Sequence, residues 1–321
     1  LRVPVISRAN LNYSFQLNYD RIRSQISRLD VPEYFTDAGG QQGTGTMFKI
    51  SEGEQFGTIW GRKFVTQCGQ LPSAFAARCG AGRDYQVNND GYVVFVGQGN
   101  TLQEGITRNL WMTNVPAGQA PWGNQTINWG MPILLRNDNG VVDPVPLGNA
   151  IPNFRWSMGN NFSYKRLTAY GLLDATVGRS VFNIARQWSL GDFMHEDTDQ
   201  LGRSVQDAKP IGYYWRAQPP AGGGIGGLYD VLGPNNHTTE DAGFVRLREV
   251  TLGYRVGRVG GFGDWTASII GRNLLTWTNY RGFDPEVGNN GGQLGSAVLN
   301  AVDAFGFPNL RQFTFQLRTS F

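Results

Sequence analysis

Between Asn10 and Asp20 apolar and polar residues alternate without a break. Leu11, Tyr13, Phe15, Leu17 and Tyr19 share one face of an extended chain, and Asn12, Ser14, Gln16 and Asn18 share the other. Successive side chains of a strand point to opposite faces, so this segment reads as a β-strand with one apolar and one hydrated side. The alternation leaves two arrangements open. A sandwich would bury the apolar face, and a barrel would turn it toward lipid.

The same period recurs along the chain. From about Asn153 to Tyr164, the residues Phe154, Trp156, Met158, Phe162 and Tyr164 share a face. From Leu167 to Val177, Leu167, Ala169, Leu173, Ala175 and Val177 do so, and Asp174 is left on the side that needs water. From Phe244 to Val256, Val250, Leu252, Tyr254 and Val256 oppose Thr251 and Arg255. A fifth strand is expected from Trp265 to about Leu275. A sixth sets Phe313, Phe315, Leu317, Thr319 and Phe321 against Gln312, Thr314, Gln316, Arg318 and Ser320. Composition agrees with an all-β chain. Gly supplies 44 of 321 residues, roughly twice average usage, and charged residues only 17%. That excludes a coiled coil, a helical bundle and a charge-rich disordered chain. A net charge of +3 carries no nucleic-acid signature, so nucleic acid is not an expected partner. No apolar run is long enough for a membrane helix, but a spanning strand needs only about 10 residues, apolar at alternate positions.

The connections between strands are asymmetric. Those at 165–166 and 257–264 are short, and those at about 23–152, 179–243 and 276–310 are long, and each kind falls at one end of the strands. Outer-membrane barrels have short periplasmic turns and long extracellular loops. Tyr164, Trp265 and Phe321 lie at the short-turn ends, and Tyr19, Trp277 and Tyr280 near the long loops, as two interfacial aromatic belts would require. Phe313, Phe315, Leu317 and Phe321 resemble the terminal signal read by the barrel assembly machinery. Cys68 and Cys79 are close enough in sequence to close a small disulfide loop in an oxidising compartment, the alternative being two free thiols.

Four segments carry a resemblance to a known family. Phe244-Val-Arg-Leu-Arg-Glu-Val-Thr-Leu-Gly-Tyr254, with Arg246, Leu247 and Tyr254, is similar to a block of the SusC/RagA family of TonB-dependent outer-membrane transporters. Gly271 to Glu286, with Asn273, Leu274, Tyr280, Asp284, Pro285 and Glu286, resembles that family's "G-x-N-L-x-T-x-T-x-Y-x-G-x-D-P-E" block. Leu147 to Phe154 and Ile50 to Gly61 resemble two further blocks, in the family's order. The resemblance implies an antiparallel transmembrane β-barrel of about 22 strands in the bacterial outer membrane. Six strands close no such barrel. Residues 1–321 are therefore expected to be the carboxy-terminal portion of a longer chain, whose plug domain and earlier strands lie outside this sequence. The implied partners are outer-membrane lipid, the protein's own plug, the TonB complex, a SusD-like surface lipoprotein, and an oligosaccharide or peptide ligand. The implied activity is import rather than catalysis, with no cofactor. A structural or adhesive outer-membrane barrel is the alternative, and a soluble carbohydrate-binding sandwich a weaker third.

Other candidates read more plainly. His195, Glu196, Asp197 and Asp199 read as a solvated loop rather than a metal site. His237 has no triad partners beside it. Asn88 to Gly91 and Asn137 to Gly140 look superficially like calcium loops but read as tight hairpin turns. Gly222 to Gly227 lacks the strand and helix of a phosphate loop and reads as a surface loop. Asp284 and Glu286 pair two carboxylates in a loop without catalytic context. Arg246, Arg248, Arg255 and Arg272 are expected to line a lumen, meeting plug carboxylates, ligand groups or water.

Overall fold

A computed structural model describes residues 1–36, 47–123, 126–205, 207–209, 211–214, 227–229, 233–261, 263–286 and 301–320. Among them, seven strands form one antiparallel meander: β1 (Arg2–Arg8), β2 (Leu11–Asp20), β3 (Phe154–Tyr164), β4 (Leu167–Val177), β5 (Phe244–Arg258), β6 (Asp264–Thr278) and β7 (Gln312–Ser320). Each pairs with its sequence neighbours. The sheet is the antiparallel, partial-barrel wall that the family resemblance implies, built from strands that the alternation marked. The turns β1–β2, β3–β4 and β5–β6 are short. The connections 21–153, 178–243 and 279–311 all leave from the opposite end.

Strand β1 was not legible in the sequence. Pro4 interrupts the alternation, and the register against β2 shifts between Pro4 and Ile6. A proline lacks the ladder N–H and is tolerated at a sheet edge or a bulge, and β1 provides both.

Register turns the alternation of single strands into continuous rows. Leu17, Met158, Leu173, Leu247 and Leu275 are successive cross-strand partners. So are Tyr13, Phe162, Ala169, Leu252, Ile269 and Phe315. On the other face, Asn12, Ser163, Thr168, Gly253, Ser268 and Gln316 form a polar row. Gly253 fits this row because a Cβ there would lie 2.5 Å from Thr168 Oγ1. Asn160 falls on the apolar face, where an unpaired amide is costly, and Tyr13 Oη donates to its Oδ1 at 2.9 Å.

Among the described residues, no second layer covers the apolar rows. Leu252 is 46% exposed and Phe315 80%, and Leu11 and Phe15 are half-buried. The buried hydrophobic clusters contain none of these residues. A soluble sandwich would bury them, so the apolar side of this sheet is built for a hydrocarbon surround.

The dry cores lie in the long connections. Phe64, Tyr92, Val94 and Trp129 from the first pack with Leu190, Tyr213, Leu228 and Tyr229 from the second. A further cluster gathers Val65, Leu71, Tyr85, Val93, Ile127 and Ile133 around the Cys68–Cys79 disulfide. Val93 and Val94 serve different clusters because they point to opposite faces of the strand Val93–Phe95. The loops are thus a packed layer.

Substituting the two faces separates lipid from water. Leu252→Arg is expected to cost about 2–4 kcal/mol in bilayer unfolding measurements, and Thr251→Arg, one residue away on the polar face, under about 1 kcal/mol. Equal costs at the two positions would contradict the assignment of faces.

Candidate functional site

The polar face carries the charge, and at its long-loop end the charges are interlocked. Strand β5 holds Arg246 opposite Asp174 of β4. Two residues on, the register slips, leaving Arg248 without a cross-strand partner on either neighbour. A bulge re-aims a side chain, and here Arg248 grips Asp174 Oδ2 at 2.6 Å and Glu286 Oε1 at 2.5 Å. The opposing bulge in β6 contains Asn273 at φ +51°. Asn tolerates this left-handed conformation better than most residues. Its Oδ1 accepts from Arg248 Nη1 at 3.3 Å, and its Nδ2 donates to Leu310 O at 3.1 Å.

The segment Asp284-Pro285-Glu286 is clasped by three arginines from two connected regions of the chain. Arg246 reaches Asp284 Oδ1 at 2.5 Å and Glu286 Oε2 at 2.6 Å, and Arg179 Nη1 donates to Pro285 O at 2.6 Å. The far limb of the same loop joins in, with Asn309 N donating to Asp284 Oδ2 at 2.9 Å. Arg246 and Asp284 are both buried. Burial pushes the Asp284 carboxyl up, but the Arg246 guanidinium and the backbone N–H groups of Glu286 and Asn309 outweigh it and hold it below the usual range. Arg255 pairs with Asp264 and Arg272 with Glu249, each at 3.1 Å. All four arginines anticipated on this face thus have an acidic partner within the chain, Arg246 and Arg248 more buried than Arg255 and Arg272.

A second network holds the helix α1 (Ile184–Gly191) under the loop layer. Asn183 caps it by accepting from Arg186 N at 2.9 Å. The buried Arg186 pairs with Asp197 at 2.8 Å and Glu240 at 3.1 Å, and its Nη2 lies 3.3 Å from His237 Nε2. A guanidinium can only donate, so Nε2 accepts and the proton sits on Nδ1, facing Tyr92 Oη at 3.0 Å. Burial, then Arg186, push His237 down to about 3, so its imidazole is neutral. Asp197 also takes Arg281.

The remaining sequence candidates fall as follows. Cys68 and Cys79 are joined. Leu247 and Tyr254 lie on the apolar face, and Leu274 packs over Gly271. Phe313, Phe315 and Leu317 are exposed on the apolar face of β7, and Phe321 lies outside the described residues. Tyr280 does not join an aromatic belt. The strand ends at Thr278, whose hydroxyl accepts from Tyr280 N, and the ring turns inward to donate from Oη to Asp303 Oδ2 at 2.7 Å. His195 caps the turn Glu196–Thr198, with its Nδ1 accepting from Asp197 N at 3.1 Å. Asn88 Oδ1 accepts from Asp90 N and Tyr92 N in the hairpin joining Tyr85–Val87 to Val93–Phe95. Asn137 makes the equivalent turn, though its flanks form no ladder. Residues 222–226 of the glycine-rich segment lie outside the described residues. Arg179, Arg186 and Asn309 escaped sequence reading because they sit in connections without any period.

No protein-family model matches the chain. Two curated relatives from Formosa agariphila are similar in sequence. TonB-dependent receptor P26 is 28% identical over 58% of this chain and 19% of its own length, and TonB-dependent receptor P3 is 24% identical over 65% of this chain and 20% of its own. The chain thus spans about one fifth of the length of these relatives. Among solved structures, the RagAB peptide importer superposes over the whole chain and 28% of its own, with a TM-score of 0.55 in the open-open state at 16% identity and 0.53 in the closed-closed state at 17%. The resemblance to TonB-dependent barrels of the SusC/RagA kind is borne out by both comparisons.

Asp284→Asn is expected to loosen the clasp by about 1.5–3 kcal/mol, the cost of weakening a charge-assisted hydrogen bond to the buried Arg246, which keeps Glu286 as its other partner. The measurement is protease cleavage within 279–311 at constant barrel content. A carboxylate held below its ordinary value contributes fully above about pH 4 and loses its contribution as pH falls through the depressed value, so acid should reproduce the cleavage in the native protein. Cleavage unchanged in both cases would show that the clasp does not hold the loop.

Proposed function

We propose that this chain is the carboxy-terminal barrel portion of an outer-membrane TonB-dependent transporter of SusC/RagA type, importing a nutrient of oligosaccharide or peptide size. The observation that carries the reading is the two-faced wall: apolar rows that no described residue covers on one side and a polar, charge-bearing face on the other. Further strands, supplied by the rest of a longer chain, would pair with the open edges β1 and β7, since hydrocarbon offers no partner to free backbone groups.

The similarity to proteins named TonB-dependent receptor supports energised import, with a plug inside the barrel and TonB as the partner that moves it. The likeness to RagAB supports a two-component arrangement with a SusD-like surface lipoprotein over the loops. The loop layer suits such a lid: Trp188, Phe193, Met194 and Leu201 are exposed within a single connection, more apolar surface than a solvent-facing loop needs. Residues Phe313, Phe315, Leu317 and Phe321 serve, in this reading, as the assembly signal.

The test is uptake. Cells expressing the full-length protein should accumulate labelled oligosaccharides or peptides too large for porins, and should lose that accumulation when TonB is deleted. Cells without the protein that retain the same uptake, or uptake that persists without TonB, would favour a scaffold or adhesin built on the same wall.

A further inference from the structure

At the long-loop end of the polar face lies a cleft of about 730 Å³, in the range of small-ligand sites. Its two sides differ. Ile22, Phe56, Ile151 and Pro152 make one side apolar, and the strand side presents Asp20, Arg155, Asp174, Arg179 and Glu286. Most of these charges are already used. Asp174 and Glu286 are held by Arg248, and Arg179 by the Pro285 carbonyl. Asp20 and Arg155 differ. They are direct cross-strand partners on β2 and β3, both exposed, yet neither side chain makes a hydrogen bond or ion pair among the described residues.

We propose that Asp20 and Arg155 form a charge-reading subsite for a peptide that carries a basic and an acidic side chain two residues apart. The inference rests on the import reading and names the ligand class for it. An extended peptide places side chains i and i+2 on one face about 7 Å apart, wider than the about 5 Å between directly opposed Cβ atoms, a difference the long Arg155 side chain spans. Arg155 takes the carboxylate through its planar fork, and Asp20 takes the ammonium. The apolar side receives the intervening residues. The hydroxyls of a neutral sugar can donate to Asp20 and accept from Arg155 but neutralise neither charge, so the charge-matched peptide makes the stronger, charge-assisted bonds, and an anionic sugar satisfies one charge and opposes the other.

Full-length protein in outer-membrane vesicles would be titrated with the end-blocked pentapeptide Ala-Glu-Ala-Lys-Ala and with two neutralised forms, Gln for Glu and acetyl-lysine for Lys. Each neutralisation is expected to weaken binding to the native protein about tenfold. Arg155→Gln should abolish discrimination against the Gln form only, and Asp20→Asn discrimination against the acetylated form only. The exchange Asp20→Arg with Arg155→Asp should restore binding, which also controls for folding. Equal binding of all three peptides to the native protein would overturn the subsite. So would an Arg155→Gln variant that melts earlier but still discriminates, because the arginine would then serve another part of the protein. TonB-dependent uptake of a labelled nutrient in the same strain separates the two ideas: uptake without peptide discrimination sinks the subsite alone, and absent uptake sinks the import reading.

Discussion

A backbone in hydrocarbon must satisfy its own hydrogen bonds, and every feature of this wall follows from that requirement. The strands pair in sequence order, the hairpins β1–β2, β3–β4 and β5–β6 through short turns and the ladders between them across the long connections. Unbroken pairing fixes the register, and register lines up the apolar residues of successive strands into rows. One face is then predominantly apolar, and the opposite face can collect charges that lipid would not tolerate. Where a polar group falls on the wrong side, as at Asn160, a neighbouring hydroxyl answers it.

The charged face is used to hold loops. Two bulges opposite each other, at Arg248 and Asn273, break the ladder locally and aim side chains toward the segment 284–286. Three arginines then fix that segment against the rim, and Arg186 does comparable work from within α1. The long connections owe their order to these ionic anchors and to hydrophobic cores of their own, one of them built around a disulfide. A mouth organised this way presents a fixed surface to whatever approaches it.

Six strands could be placed from sequence because their period is two and their apolar members are large. β1 could not, since Pro4 and a bulge erase its period. The motif residues Arg246, Asn273, Asp284 and Glu286 stood out as a pattern, but their mutual contacts did not: Arg246 and Glu286 are 40 positions apart, and only the strand register and the loop's return bring them together. Tyr280 misled for a related reason. Sequence placed it near the long loops as a member of an interfacial belt, but the strand ends at Thr278, whose hydroxyl accepts from Tyr280 N, and the ring turns inward to Asp303. Arg179 and Arg186 lie in segments whose packing is wholly tertiary, and no local signal marks them.

The most direct measurement is made on β5 in the full-length protein reconstituted in a bilayer. Single spin labels at positions 250, 252 and 254, and at 251 and 255, report collision with oxygen dissolved in lipid and with a water-soluble nickel chelate. The account predicts strict alternation, with the even positions open to oxygen and the odd positions to the chelate. Uniform access to the aqueous reagent, or protection of both sets from both reagents, would mean that the apolar rows face something other than lipid.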